Sequence, residues 1–88
     1  MSSSNNAFYI WKALIEKAII ESLPSIEIFG EPFSIINENT LTKENKIILF
    51  KGKKLILRDL NKNYELAIDL NRATEEVLWS TLLIFIRN

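Results

Sequence analysis

Seven basic residues between positions 43 and 62 are the side chains of this sequence best suited to bind a charged ligand. The same stretch holds two acidic residues, Glu44 and Asp59, in a chain of zero formal net charge. Lysine and arginine side chains contact phosphate groups, so this basic strip is a candidate for nucleic-acid contact. Its members are Lys43, Lys46, Lys51, Lys53, Lys54, Arg58 and Lys62.

Residue types that commonly do catalytic chemistry are scarce. The chain has no histidine and no cysteine, so it lacks an imidazole base, a thiolate nucleophile and soft metal ligands. Its two glycines, Gly30 and Gly52, fit turns and do not form a phosphate-binding loop. Glu75 and Glu76 are adjacent, so on a helix they point in different directions and make a poor acid–base pair. We therefore expect a protein that is not an enzyme and uses no cofactor or metal.

Length and composition predict a single domain. With 88 residues, 48% of them hydrophobic, the chain can bury one core. The Ser/Asn-rich residues 1–6 predict a disordered tail that ends in a helix cap at Asn5 or Asn6, and residues 7–88 predict the domain. A chain this small with no disulfide often gains stability by pairing with another subunit.

Residues 7–22 have the spacing of an amphipathic helix. Its apolar residues recur at steps of three and four, which places them on one face. Pro24 prevents the helix from continuing, because proline lacks a backbone donor and disfavours helical geometry in the preceding residue. The predicted apolar face consists of Phe8, Trp11, Leu14, Ile15, Ala18 and Ile19.

Strand-like segments follow from Ser25 onward. They are separated by turn residues, and the polar stretch 37–45 is predicted as a loop. The predicted strands are 25–29, 33–37, 46–51, 54–59 and 63–70.

The last three predicted strands can be placed in register. A two-residue turn at Gly52 and Lys53 pairs Phe50 with Leu55 and Ile48 with Leu57. A turn centred on 61–62 then gives one wholly apolar sheet face.

The same register makes a prediction about the opposite face. It places Arg58 opposite Glu65, and Lys54 opposite Asp69. A slip of one residue would destroy the apolar alternation and the charge pairing together.

A second helix is predicted over 73–86. Thr74 can cap it, Glu75 and Glu76 favour its first turn, and Arg87 lies near its end. Few polar residues follow the first turn, so we expect this helix either to be wedged into the core or to contribute to a subunit interface.

These elements predict an α+β fold with an N-terminal helix, an antiparallel meander of three to five strands and a C-terminal helix. Both helices are expected on one face of the sheet. This order resembles several RNA-binding folds in topology. However, Glu75 and Glu76 lie at the helix end where the double-stranded RNA-binding arrangement presents basic residues.

The sheet side facing away from the helices has an apolar centre and a charged rim, as protein interfaces commonly do. We consider equally the alternative that the 25–37 hairpin folds over it. Together with part of the second helix, this side gives the candidate interface: Ile47, Leu49, Ile56, Ala67, Trp79, Leu83, Ile84 and Ile86.

The leading hypothesis is therefore a small cytoplasmic protein–protein interaction module. It would self-associate, as a homodimer, or act as a subunit, adaptor or inhibitor of a larger protein. The alternative is a nucleic-acid-binding domain that uses the basic strip. No signal peptide is expected, and the apolar run 77–86 is about half the roughly 20 residues of a membrane span.

Overall fold

The computed structural model describes residues 6–87, and the side chain of Asn6 is not included. The predicted tail over residues 1–6 therefore lies outside the described residues, except for the backbone of Asn6, where the first helix begins. Helix α1 spans Asn6–Ile20, and α2 spans Glu75–Arg87. Six strands lie between them: β1 Ser25–Ile28, β2 Glu31–Asn37, β3 Thr40–Lys43, β4 Lys46–Lys51, β5 Lys54–Asp59 and β6 Tyr64–Asp69.

Helix α1 ends before Pro24. Ser22 takes a left-handed conformation with φ of 56°. The Leu23 N–H then donates to the Ala18 carbonyl oxygen, and the Ser22 N–H donates to the Ile19 carbonyl oxygen, both at 3.0 Å. These two bonds form the Schellman motif, which satisfies the last helical carbonyls and turns the chain into β1.

The strands form one antiparallel sheet in the order β1-β2-β3-β4-β5-β6, so each strand pairs with its neighbours along the chain. With a helix at each end, the α+β class and the meander are confirmed, with one strand more than the upper limit of the prediction.

The predicted register is also confirmed. Phe50 pairs with Leu55, and Ile48 pairs with Leu57. Gly52 has a positive φ of 61°, as expected at the first position of the two-residue turn between β4 and β5. Across the next pair of strands, Leu57 lies opposite Leu66, and Arg58 opposite Glu65.

The prediction of a loop over 37–45 is wrong, because this stretch contains β3. Thr40–Lys43 pairs with β2 on one side and β4 on the other. The strand has a single large apolar side chain, Leu41, which is 2% exposed. In so short a strand one buried residue is enough, since the neighbouring strands supply the hydrogen-bonded ladder on both sides.

Both helices pack on one face of the sheet and share a single core with it. Leu55 and Leu57 of the sheet, and Leu78 and Leu82 of α2, are fully buried. Trp11 of α1 is 1% exposed and belongs to the same cluster. The sheet therefore has an inner face covered by helices and an opposite outer face.

The N-terminus of α2 is capped as predicted. The Val77 N–H donates to the Thr74 hydroxyl oxygen at 3.2 Å, and Glu75 and Glu76 occupy the first turn. Cap and charges both stabilise this end of the helix, because its first N–H groups have no partners within the helix.

Candidate functional site

The candidate interface residues of the sheet lie together on the outer face. Leu49 is opposite Ile56, which is in turn opposite Ala67. Ile47, on the same face of β4, pairs with Arg58. The three larger side chains are half-buried and Ala67 is exposed, so the centre of this face is apolar but partly shielded by its neighbours.

The hairpin of β1 and β2 does not fold over the outer face. It continues the sheet beyond β3, with Ser34 paired to both Ser25 and Thr42. Small hydroxyl side chains thus extend this face toward β1. Among residues 6–87, the helices pack only against the opposite, inner face.

The candidate interface residues of α2 are separate from this patch. Trp79, Leu83 and Ile86 are half-buried, and the Trp79 ring packs edge-on against Phe29 with 6.0 Å between centroids. Ile84 is 64% exposed. Most of the apolar surface of α2 is therefore used inside the molecule, and the eight predicted interface residues do not form one surface.

Strand β6 is an edge of the sheet, and its hydrogen bonding can be traced from its end. The Leu70 N–H donates to the Lys53 carbonyl oxygen at 2.8 Å. Hydrogen-bonded pairs recur at every second residue of an antiparallel ladder. The residues that bond to β5 are therefore Tyr64, Leu66 and Ile68.

The intervening residues of β6 direct their backbone groups away from the sheet. These residues are Glu65, Ala67 and Asp69. The Asp69 carbonyl oxygen already accepts the N–H groups of Arg72 and Ala73, at 3.0 and 2.9 Å. The edge thus offers three N–H donors and two carbonyl acceptors, which is the pattern that another strand can complete.

A groove lies between β6 and α2, directly beside this edge. It consists of two adjoining clefts of 440 and 420 Å³, both lined by Leu66 and Thr81. Ile84 lines one cleft and Val77 the other. Tyr64 also lines the first of these clefts and is 48% exposed. We call this surface, the edge of β6 with the groove lined by Leu66, Val77, Thr81 and Ile84, the β6 groove.

The acidic side chains on this edge have basic neighbours. The Arg58 Nε–H donates to Glu65 Oε1 at 2.9 Å, as the register predicts. Asp69 lies opposite Lys54, but its carboxylate is 3.9 Å from the Arg72 guanidinium and accepts the Asn71 N–H instead. Both carboxylates are therefore at least partly neutralised within the molecule.

Sequence reasoning included Ile84 and Ala67 among the candidate interface residues, but it missed the β6 groove. The predicted register places Leu66 on the apolar sheet face, and the predicted helix 73–86 includes Val77 and Thr81 without indicating which of its sides stays exposed. One sequence signal could have found the groove, since the last strand of an open meander has a free edge.

The basic strip is divided between several environments. The Lys43 ammonium is 3.2 Å from Glu31 and 3.6 Å from Glu44. Hydrogen bonding to Glu31 raises the pKa of Lys43 above its ordinary value. Lys46 is 3.8 Å from the buried carboxylate of Asp59.

The remaining members of the strip point in different directions. Lys53 lies over the Phe8 ring, 5.5 Å from its centroid. Lys51 and Lys54 are cross-strand neighbours on the outer face and take part in no ion pair within the described chain. Lys62 lies in the β5–β6 turn, where its N–H donates to Asp59. The structure therefore brings together only part of the strip.

A further cleft, of about 550 Å³, lies between α1 and the β2–β3 turn. Its apolar wall includes Ile15, Ile19 and Phe50. Three charged residues line it, Lys12, Glu16 and Glu38. Lys12 and Glu16 lie 4.0 Å apart, and all three are exposed. No reactive arrangement is formed there.

Two features are absent from residues 6–87. No three side chains of the His, Cys, Asp or Glu type converge on a point where they could hold a metal ion. Neither helix is long and apolar enough to cross a membrane.

Comparison with known proteins does not extend this description. No protein-family model, no curated protein and no solved structure matches the chain.

Proposed function

We propose that this chain is a non-catalytic protein-binding module and that the β6 groove is its binding surface. One observation carries the proposal: an unpaired strand edge lies beside an apolar groove. Among the large apolar residues at this surface, Val77 is 47% exposed and Ile84 64% exposed.

An extended segment of a partner can satisfy both features at once. Its backbone would bond to Glu65, Ala67 and Asp69, adding a strand to the sheet. Every second side chain of that segment would then point toward α2 and enter the groove, since side chains alternate between the faces of a strand. Backbone pairing supplies general affinity, and the groove selects apolar residues at alternate positions.

The charges of the edge fit a selective surface. Sheets commonly carry charged residues on edge strands, because these residues discourage indiscriminate pairing. Glu65 and Asp69 have this effect here, so a partner must place neutral or basic residues opposite them. The surface therefore favours strands with neutral or basic residues opposite these two carboxylates and disfavours strands with acidic residues there.

Selection of short random peptides displayed on phage, with the full chain immobilised, tests this proposal. We expect enriched peptides in which apolar residues alternate with neutral or basic ones. The Ala67→Pro variant should weaken their binding at least tenfold, because proline removes a donor at the centre of the edge. Ile84→Glu should weaken binding similarly, by placing a charge in the groove.

Two controls separate binding from folding. Ile20→Glu changes a residue that is 81% exposed on α1, away from the groove, and should leave binding unchanged. Leu66→Pro should unfold the chain, because Leu66 donates to β5, whereas Ala67→Pro should keep the wild-type circular dichroism spectrum. The proposal is overturned if no peptide is enriched, or if folded Ala67→Pro binds as wild type does.

A further inference from the structure

The free edge of β6 can pair with the same edge of a second copy of the chain. Antiparallel pairing of β6 with itself requires a two-fold axis normal to the sheet. This axis keeps the helices of both copies on the same side. One symmetry operation therefore brings edge to edge and, at the same time, places the exposed flanks of the two α2 helices across the axis from one another.

The sequence of β6 allows few registers for such pairing. With the axis at Leu66, Tyr64 lies opposite Ile68 of the second copy, and Glu65 lies opposite Ala67. Asp69 then lies opposite Asn63. No like charges are opposed in this register.

Neighbouring registers are less favourable. An axis at Ala67 places Glu65 opposite Asp69 of the second copy, twice in the dimer. An axis at Glu65 places this residue opposite itself. An axis at Ile68 requires the Asp69 carbonyl oxygen, which already accepts two N–H groups from the turn that follows β6. The register about Leu66 pairs residues 64–68 of the two copies without opposing like charges and without needing the Asp69 carbonyl oxygen.

The charges and the groove support the same arrangement. Because Glu65 is bonded to Arg58 at 2.9 Å, the carboxylates of two facing edges do not remain uncompensated. Leu66 meets its own copy on the inner face, beside Val77 and Ile84 of both molecules. We propose that the chain forms a two-fold symmetric dimer in which β6 pairs with β6 about Leu66, making one continuous sheet.

The size of this contact sets the expected affinity. It involves about ten residues from each copy, against about 20–30 on each side of a standard-size interface. We therefore expect a dissociation constant in the micromolar range, and sedimentation equilibrium over a range from low micromolar to several hundred micromolar should show a reversible monomer–dimer equilibrium. This inference rests on the proposed function, because it names the occupant of the same surface.

Engineered cysteines test the register, since the natural sequence has none. In the proposed dimer Leu66 forms a non-hydrogen-bonded pair with itself, with Cα atoms about 4.5 Å apart, within the range that a disulfide spans. In a glutathione redox buffer, Leu66→Cys should form at least tenfold more covalent dimer than Ile20→Cys.

A second pair avoids any change to a partly buried residue. Glu65→Cys and Ala67→Cys alter exposed positions that lie opposite one another between copies. A mixture of these two proteins should give mainly the mixed disulfide, and each protein alone should give less.

The possible results distinguish a failure of the proposed dimer from a failure of the proposed peptide-binding function. A chain that stays monomeric at several hundred micromolar, or cross-linking that does not exceed that of Ile20→Cys, overturns the dimer. If peptide binding sensitive to Ala67→Pro persists in that case, the proposed function stands and only the second copy is wrong. If peptide binding is absent as well, both are wrong.

Discussion

Asp59 shows how a single residue organises the end of β5. It is 4% exposed, and its carboxylate accepts the N–H groups of Asn61 and Lys62 at 3.0 and 3.1 Å. The Lys46 ammonium lies 3.8 Å away. A buried carboxylate is tolerated only with such partners, so Asp59 joins the β5–β6 turn to β4 through one side chain.

Replacing Asp59 should therefore lower the free energy of unfolding, and the loss should grow with the number of partners that the new side chain cannot bind. We expect Asp59→Ala to lower the free energy of unfolding by about 2 kcal/mol, because two donors and one cation lose their acceptor. Asp59→Asn keeps an oxygen for the two N–H groups and should cost about half as much. Urea denaturation measures both values. Equal losses in the two variants would show that the ion pair with Lys46, and not the turn, is what matters.

At the scale of the elements, α2 has a buried side and an exposed side despite its uniform hydrophobicity. Leu82 is 0% exposed and belongs to the core cluster, whereas Ile84 is 64% exposed and lines the β6 groove. The hydrophobic pattern of this helix thus has two causes. One face fills the core, and the other flanks the free edge of the sheet.

This difference in burial predicts that truncating a buried and an exposed side chain of α2 lowers the free energy of unfolding by different amounts. Leu82→Ala should lower the free energy of unfolding by about 3 kcal/mol, since it leaves a cavity in the core. Ile84→Ala should cost less than about 1 kcal/mol, because the side chain is already largely in water. Urea denaturation of both variants at the same protein concentration makes the comparison. Similar losses would contradict the orientation of α2 described here.

At the scale of the whole molecule, part of the uneven charge of the sequence is neutralised by ion pairs within the fold. Three basic residues of the stretch 43–62, Lys43, Lys46 and Arg58, form ion pairs with acidic residues of β2, β5 and β6 respectively. What remains on the outer face is the neighbouring pair Lys51 and Lys54. Two cations are few for phosphate binding, which depends steeply on the number of contacts.

The chain should accordingly bind polyanions weakly. We expect it to leave a heparin column below about 150 mM NaCl, and a Lys51→Glu, Lys54→Glu variant to leave only slightly earlier. Retention above about 300 mM NaCl that collapses in this variant would instead favour the nucleic-acid hypothesis. Ile20→Glu is a suitable control for a surface change that leaves this part of the outer face intact.

The sequence by itself determined the fold class, the cap at Thr74 and the register of the last three strands. These features depend on local patterns: the alternation around Leu55 and Leu57, the turn at Gly52, and the spacing of α2. Each pattern involves residues close in sequence, and a shifted alternative would expose apolar side chains. The sequence did not predict the short strand β3, because a single apolar residue between two turns gives no hydrophobic periodicity.

Only the tertiary structure decided which surfaces stay open. Whether the β1–β2 hairpin covers the outer face or extends the sheet depends on long-range pairing between β2 and β3, and periodicity within a strand does not report it. The β6 groove likewise depends on where α2 crosses the sheet, which places Val77 and Ile84 beside the free edge. A hydrophobic side chain has the same identity in a core and at an interface. Its role is settled by what the folded chain places next to it.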